Sequence, residues 1–240
     1  MIPPRLQPLL RADGPTGQLA DLFRAAGHEL ALVGGSVRDA LLGRDIDDLD
    51  FATNARPERI KEIVGPWAND MYLAGQRFGT IGAIRDGHLY EITTYRSEIY
   101  TEDTRNPEVA YSDDIAEDLS RRDFTVNAMA LRLEQPDEPE LFDPHGGLED
   151  LLAQTLRTPL DPAISFGDDP LRRLRLFRFL ATLGFAPTEE ALAAVAAMSD
   201  RLQIISAERI RQEFSKLMVG DHVADALWGL VQTGLAEQFL

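Results

Sequence analysis

The chain has 240 residues, with 24 Lys and Arg against 40 Asp and Glu, a formal net charge of −16 at pH 7. An apolar fraction of 44% excludes wholesale disorder and supports a buried core, and no stretch approaches the roughly 18 apolar residues of a membrane span. Cysteine is absent, which excludes disulfide frameworks and Cys-based metal or redox sites and fits a cytoplasmic protein. His28, His88, His145 and His222 are far apart, so there is no local His metal motif. The acidic balance argues against nucleic-acid binding by bulk charge. Yet every cation except Lys61 and Lys216 is arginine, the better residue for bidentate phosphate and base contacts, so placement matters more than the total.

In chain order, residues 19–27 read as a short amphipathic helix closed by Gly27. Residues 29–35 read as a buried strand running into a glycine turn, and 36–43 as a helix ended by Gly43. Residues 48–53 alternate as a strand, and Pro57 opens a helix over 57–64. Strands over 80–85 and 88–96 flank Asp86-Gly87, a two-residue hairpin signal. The stretch 97–112 has no pattern and reads as a long loop, and 128–134 reads as a further strand. Beyond residue 160 the pattern is helical. A helix over 169–185 opens on Asp169-Pro170 and closes at Gly184, followed by helices in PTEEALAAVAAMS, SAERIRQEFSKLM and ADALWGLVQTGL. The reading is therefore α+β: a mixed domain over 1–158 and a helical one over 159–240.

Two features carry chemistry. Gly34-Gly35 lies between strand and helix, where free N–H groups and the helix dipole suit a phosphate, although two glycines also make an ordinary tight turn. In Asp48-Leu49-Asp50-Phe51, strand alternation sends Leu49 and Phe51 to the core and projects Asp48 and Asp50 together. Asp47 points with the apolar residues or precedes the strand. Paired carboxylates repel unless a cation lies between them. Two Mg²⁺ ions about 3.5–4 Å apart are one solution, and a solvated strand edge is the other.

Together these features form a layout for a triphosphate and metal, and the run LVGGSVRDALLGRDIDDLDFAT resembles the signature of the class II tRNA nucleotidyltransferases and bacterial poly(A) polymerases, within the polymerase-β-like nucleotidyltransferase superfamily. EITTYR, EDLSRRDFTVNAMAL, LFDPHGGLEDL, DDPLRRLRLFRF and AERIRQEF follow in that family's order. The resemblance implies a nucleotidyltransferase head of mixed sheet and helices over 1–158 and a helical neck over 159–240. It implies that Gly34, Gly35 and Arg38 meet the triphosphate and that Asp48 and Asp50 hold two Mg²⁺ ions, with Glu91 as third carboxylate. Arg122, Asp123 and Asn127 would bind nucleotide sugar and phosphates; from the residues alone, Arg121-Arg122-Asp123 is equally a surface ion pair, and Glu91 a cross-strand polar partner.

Arg172, Arg175 and Arg178 recur every three residues as a cationic stripe, with Leu176, Phe179, Leu180 and Leu183 on another face. The resemblance makes Asp169 and Arg172 a protein template for the incoming base, with Arg175 and Arg178 as further nucleotide contacts, while Asp169 before Pro170 also reads as a helix N-cap. C and A both present an amino donor beside a ring-nitrogen acceptor, which a carboxylate and a guanidinium match; G and U present the reverse and leave both groups unpaired. Asp168 stands where the family usually has Glu. Tyr100, Asp103, Arg105 and Pro107 fill the 97–112 loop, whose full length in the family goes with competence for A.

The implied activity is addition of C and/or A from CTP and ATP to the 3′ end of tRNA. Its rivals are a poly(A) polymerase acting on other RNA 3′ ends and a silent nucleotide- or RNA-binding fragment. The family normally continues beyond a segment like QTGLAEQFL into helical body and tail regions that grip tRNA. The expectation is therefore a complete chemical site with an incomplete RNA grip and no membrane partner.

Overall fold

The structure, a computed structural model, describes residues 3–46, 48–99, 108–133 and 139–240. Asp47 and the loop residues Tyr100, Asp103, Arg105 and Pro107 lie outside the described residues. Two compact units are present: Met1–Arg121 with Asn127–His145, and Arg122–Val126 with Gly146–Leu240.

The first unit is built on a seven-stranded mixed sheet. Its strands are β1 (Ala31–Val33), β2 (Leu49–Thr53), β3 (Asp70–Tyr72), β4 (Thr80–Arg85), β5 (His88–Thr94), β8 (Ala130–Arg132) and β9 (Glu140–Phe142), in the order β3-β4-β5-β2-β1-β8-β9. Only β2 and β5 are parallel neighbours; every other pairing in this sheet is antiparallel. Four helices accompany it: α1 (Pro15–Ala25), α2 (Gly35–Leu42), α3 (Pro57–Val64) and α4 (Ile115–Ser120). A separate hairpin pairs β6 (Arg96–Ile99) with β7 (Glu108–Tyr111). This corrects the reading of 97–112 as loop throughout, because pairing between segments distant in sequence leaves little local pattern.

Register explains the sheet's two faces. Leu32, Phe51, Ile92 and Ile81 are paired in one row across β1, β2, β5 and β4, and all are at most 1% exposed. One residue along, side chains flip to the opposite face. The apolar row faces helices α1 and α3, whose Leu19, Phe23, Ile60 and Val64 are fully buried. Trp67 seals the end of this layer, edge-on to Tyr90 and donating from Nε1 to Gln18. On the opposite face, Ala31, Val33, Ala52 and Ala130 pack with Ile115 and Leu119 of α4.

The second unit contains α5 (Gly147–Leu152), α6 (Pro162–Asp168), α7 (Leu171–Leu183), α8 (Glu189–Ala197), α9 (Ala207–Met218) and α10 (Val223–Gln232), with a short parallel pair β10 (Thr155–Leu156) and β11 (Ala186–Pro187). The segment Arg122–Val126 belongs here: Thr125 donates from its hydroxyl to Asp150, which is ion-paired to Arg157, and its amide bonds the Arg157 carbonyl. The β10–β11 pair joins 155–156 to 186–187, and this compact unit takes in Gly146–Leu240. Helix α6, capped by the Asp161 carboxylate on Ala163 N, was outside the residue pattern because it is a seven-residue piece without an amphipathic repeat. Among the described residues, no helix is long and apolar enough to cross a membrane.

Close packing of α7 against the α9–α10 turn requires Gly220. A Cβ there would lie 2.4 Å from the Ala181 carbonyl oxygen, a fixed backbone atom. Gly220→Ala is expected to destabilise the chain by about 1–3 kcal/mol, read as a lower urea midpoint at an unchanged slope.

Candidate active site

Strands β2 and β5 bring the predicted carboxylates together. Asp50 and Glu91 are direct cross-strand partners, and Asp48 precedes β2 by one residue. Asp48 and Glu91 are exposed and Asp50 is half-buried, on the face opposite the apolar row. Desolvation on the strand pushes the Glu91 carboxyl above its ordinary value, and the negative charges of Asp50 and Asp48 push it further. This is the electrostatic signature of carboxylates close enough to repel, which a cation would relieve. Phe51 is buried as expected, whereas Leu49 is only half-buried at the strand's start. Thr93, two residues along, pairs with Thr80, their hydroxyls 2.9 Å apart, while Glu91 itself lies opposite Asp50.

No group of three or more His, Cys, Asp and Glu among the described residues forms a ready metal-ligand cluster. A carboxylate pair suffices for Mg²⁺, which retains waters and takes oxygens from substrate phosphates. The donor set of oxygen ligands and its unrelieved negative charge therefore fit that ion.

Helix α2 starts at the glycine pair. Gly34 has φ 71° and ψ −132°, a conformation that a side chain would strain, and its carbonyl accepts from Arg38 N. At Gly35 an added Cβ would find only Arg38 Nη2 at 3.6 Å and the Asp39 carboxylate, so protein packing does not demand glycine there. Ser36, which pattern reading passed over, ties this helix to the carboxylates. Its hydroxyl donates to the Asp48 carbonyl at 3.0 Å and accepts from Asp50 N at 3.1 Å. The signal was its position between the glycines and Arg38. Arg38 is buried, forked onto Asp39 through Nε and Nη2 at 2.9 and 2.7 Å, and donates from Nη1 to Asn127 Oδ1 at 2.5 Å. The two expected phosphate contacts Arg38 and Asn127 thus touch each other.

The remaining predicted residues lie in the helical unit. Asp123 accepts from Phe124 N and is ion-paired to Arg175 at 2.5 Å. Burial pulls the Arg175 guanidinium down, but Asp123, Glu213 and Asp169 more than offset this and hold it above its ordinary value. Arg178 pairs with Glu213 on α9 at 2.6 Å and lies over the Phe179 ring. Arg172 is buried and donates from Nη1 to the carbonyl and hydroxyl oxygens of Ser165 on α6. Asp169 caps α7 through Leu171 N at 3.0 Å and faces Arg209 at 3.5 Å. Asp169 thus accepts from the first helical amide, but the N-cap position is Pro170, one residue later than the sequence pattern suggests. Arg122 is half-buried in the Arg122–Val126 segment. The stripe Arg172, Arg175, Arg178 is thus engaged with Ser165, Asp123 and Glu213, partners that spacing within α7 could not reveal.

Arg173 stands apart from the stripe. It is fully buried, its Nε donates to the Pro170 carbonyl, and neither Nη atom has a hydrogen-bond partner among the described residues. Burial, with repulsion from Arg201 and against the attraction of Asp200 and Asp169, pushes its pKa down to about 10. Because orphaned buried donors cost about 1–3 kcal/mol, Arg173→Met is expected to raise stability by a similar amount, measured as a higher urea midpoint. A lower midpoint would contradict the assignment of these donors as unsatisfied.

The fold is shared with known proteins. Residues 30–157 match the family described as the poly A polymerase head domain, and residues 184–240 match one described as a probable RNA and SrmB-binding site of polymerase A. A CCA-adding enzyme of Anoxybacillus flavithermus is 41% identical over 216 residues, covering 90% of this chain and 52% of the relative. One of Enterococcus faecalis is 41% identical over 212 residues, covering 88% and 50%. The crystal structure of the Bacillus stearothermophilus CCA-adding enzyme in complex with CTP superposes with TM-score 0.81 at 33% identity, covering 98% of this chain and 53% of that one. The Thermotoga maritima CCA-adding enzyme complexed with tRNA superposes with TM-score 0.79 at 25% identity, covering 97% and 55%. The chain spans about half the length of the curated relatives it matches. With residues 30–157, more than half of its length, matched by that family's model, the chain belongs to the poly A polymerase head-domain family.

Proposed function

We propose that the chain carries the nucleotidyl-transfer chemistry of a CCA-adding enzyme, adding C and/or A from CTP and ATP to a tRNA 3′ end without a nucleic-acid template. The observation that carries this reading is the pairing of Asp50 with Glu91 beside Asp48, next to a helix N-terminus opened by Gly34-Gly35. In this reading the acceptor 3′-oxygen bonds to the α-phosphorus, the bond to the β-phosphate oxygen breaks, pyrophosphate leaves and the hydroxyl proton passes to solvent. Asp48 and Asp50 would hold two Mg²⁺ ions, with Glu91 beside them as third carboxylate, and the ions would supply Lewis-acid polarisation and neutralise phosphate charge. The free amides at the start of α2 and Arg38 receive the triphosphate. Ser36 fixes the carboxylates relative to that helix, and Asn127 orients Arg38.

The first unit then acts as catalytic head and the second as base-recognising neck. Asp169 and Arg172 select C and A by accepting from the amino group and donating to the ring nitrogen. Arg122, Asp123, Arg175 and Arg178 are the nearby nucleotide contacts, Asp123 and Arg175 acting as a pair. Solved structures of relatives hold CTP and tRNA, which supports these as substrate and partner, and a tRNA substrate supports a cytoplasmic location. Pyrophosphate release that requires CTP, Mg²⁺ and tRNA together tests the reading. Release independent of RNA, or none, would contradict it.

A further inference from the structure

The carboxylate row does not end at Glu91. Glu91 is paired with Gly82 on β4, and Gly82 with Tyr72 on the edge strand β3. Asp50, Glu91, Gly82 and Tyr72 are therefore one continuous row, and paired positions in a sheet share a face. Strands lie about 4.8 Å apart, so Tyr72 is roughly 10 Å from Glu91 and 14 Å from Asp50 along the row. Leu89, two residues before Glu91, is on the same face. Tyr72 is 54% exposed and Leu89 37%. They close over Gly82, where an added Cβ would meet Leu89 Cδ1 at 2.8 Å and Tyr72 Cβ at 3.1 Å. The alternate residues Met71, Ala83 and Tyr90 belong to the opposite, apolar-row face, so the exposure of Tyr72 and Leu89 is not spillover from that core.

We infer that Tyr72, supported by Leu89 across Gly82, is a stacking platform for an unpaired base near the 3′ end of the acceptor RNA. This rests on the nucleotidyl-transfer reading above, and it assigns the side from which the acceptor reaches the carboxylates. An aromatic face holds any base without needing charge. That suits a chain of net charge −16 whose Arg172, Arg175 and Arg178 are assigned above to the nucleotide. A protein partner is the less fitting occupant, because the apolar surface on this face is small and runs directly into carboxylates.

The test measures incorporation of CTP by the full 240-residue chain at varied concentrations of a tRNA lacking its terminal CCA. Tyr72→Leu retains apolar cover over Gly82 without a π-face, and Tyr72→Phe retains both. Tyr72→Leu is expected to raise the KM for RNA about tenfold, with the KM for CTP and the urea midpoint unchanged, and Tyr72→Phe to match the parent. The parent's RNA affinity is further expected to fall only shallowly between 50 and 200 mM salt. An unchanged RNA KM in Tyr72→Leu, with an active parent, overturns the platform alone. Equal losses for RNA and CTP would also overturn it by marking Tyr72 as structural. A parent that neither binds RNA nor incorporates CTP overturns the underlying reading and the platform with it.

Discussion

Alanine at Asp50 is expected to reduce nucleotide incorporation at least about 10³-fold, the rate equivalent of roughly 4 kcal/mol of transition-state stabilisation. Asp50 is the carboxylate best placed to matter. It is half-buried, its amide is held by the Ser36 hydroxyl, and it lies directly opposite Glu91. Its side chain supports no packing on the apolar side of the sheet, which Phe51 fills. Loss of the carboxylate should therefore leave folding intact, and removing a repulsive charge beside Glu91 should leave stability unchanged or slightly higher. The comparison is made with purified Asp50→Ala and Asp50→Asn, each with its urea midpoint. Near-normal incorporation by either variant would remove the carboxylate row from the chemistry.

Arg172→Ala is expected to lower the preference for CTP and ATP over UTP and GTP by about 10²-fold, because rejection of the wrong base depends on a buried group left unpaired. Arg172 is held from below by both oxygens of Ser165, while Asp169 is held at the start of α7 by Leu171 N and by Arg209. Helix α6 thus orients one member of the pair and α9 the other. Ser165→Ala removes the hydroxyl that supports Arg172 and should reproduce part of the loss in selectivity with little loss in rate. Equal reductions for all four nucleotides in Arg172→Ala would contradict a templating role and leave Arg172 as a helix-packing residue.

The alternation in DLDFAT anticipated the burial of Phe51 and the shared face of Asp48 and Asp50, but not that Leu49 at the strand's start is only half-buried. The resemblance of the surrounding motifs added the expectation that Glu91 joins Asp48 and Asp50. What alternation could not supply was register. That Glu91 faces Asp50, and that Gly82 and Tyr72 continue the row, is decided by pairing across strands far apart in sequence. The same limitation hid the β6–β7 hairpin and the bonds that draw Arg122–Val126 into the helical unit. For α7, the three-residue spacing singled out Arg172, Arg175 and Arg178, but their partners Ser165, Asp123 and Glu213 come from other elements. Arg173 was unremarkable as one more arginine and becomes notable only through its complete burial.

In the proposed function, these 240 residues carry the machinery for untemplated addition of C and A. It is tested most directly by incubating the chain with Mg²⁺, labelled CTP or ATP, and tRNAs ending at the discriminator base, at C and at CC, then resolving product lengths. The expected addition requires the 3′ end of tRNA, uses CTP and ATP but not UTP or GTP, and stops once CCA is complete. A long A tail, incorporation of all four nucleotides, or no incorporation on any of the three tRNAs would contradict it.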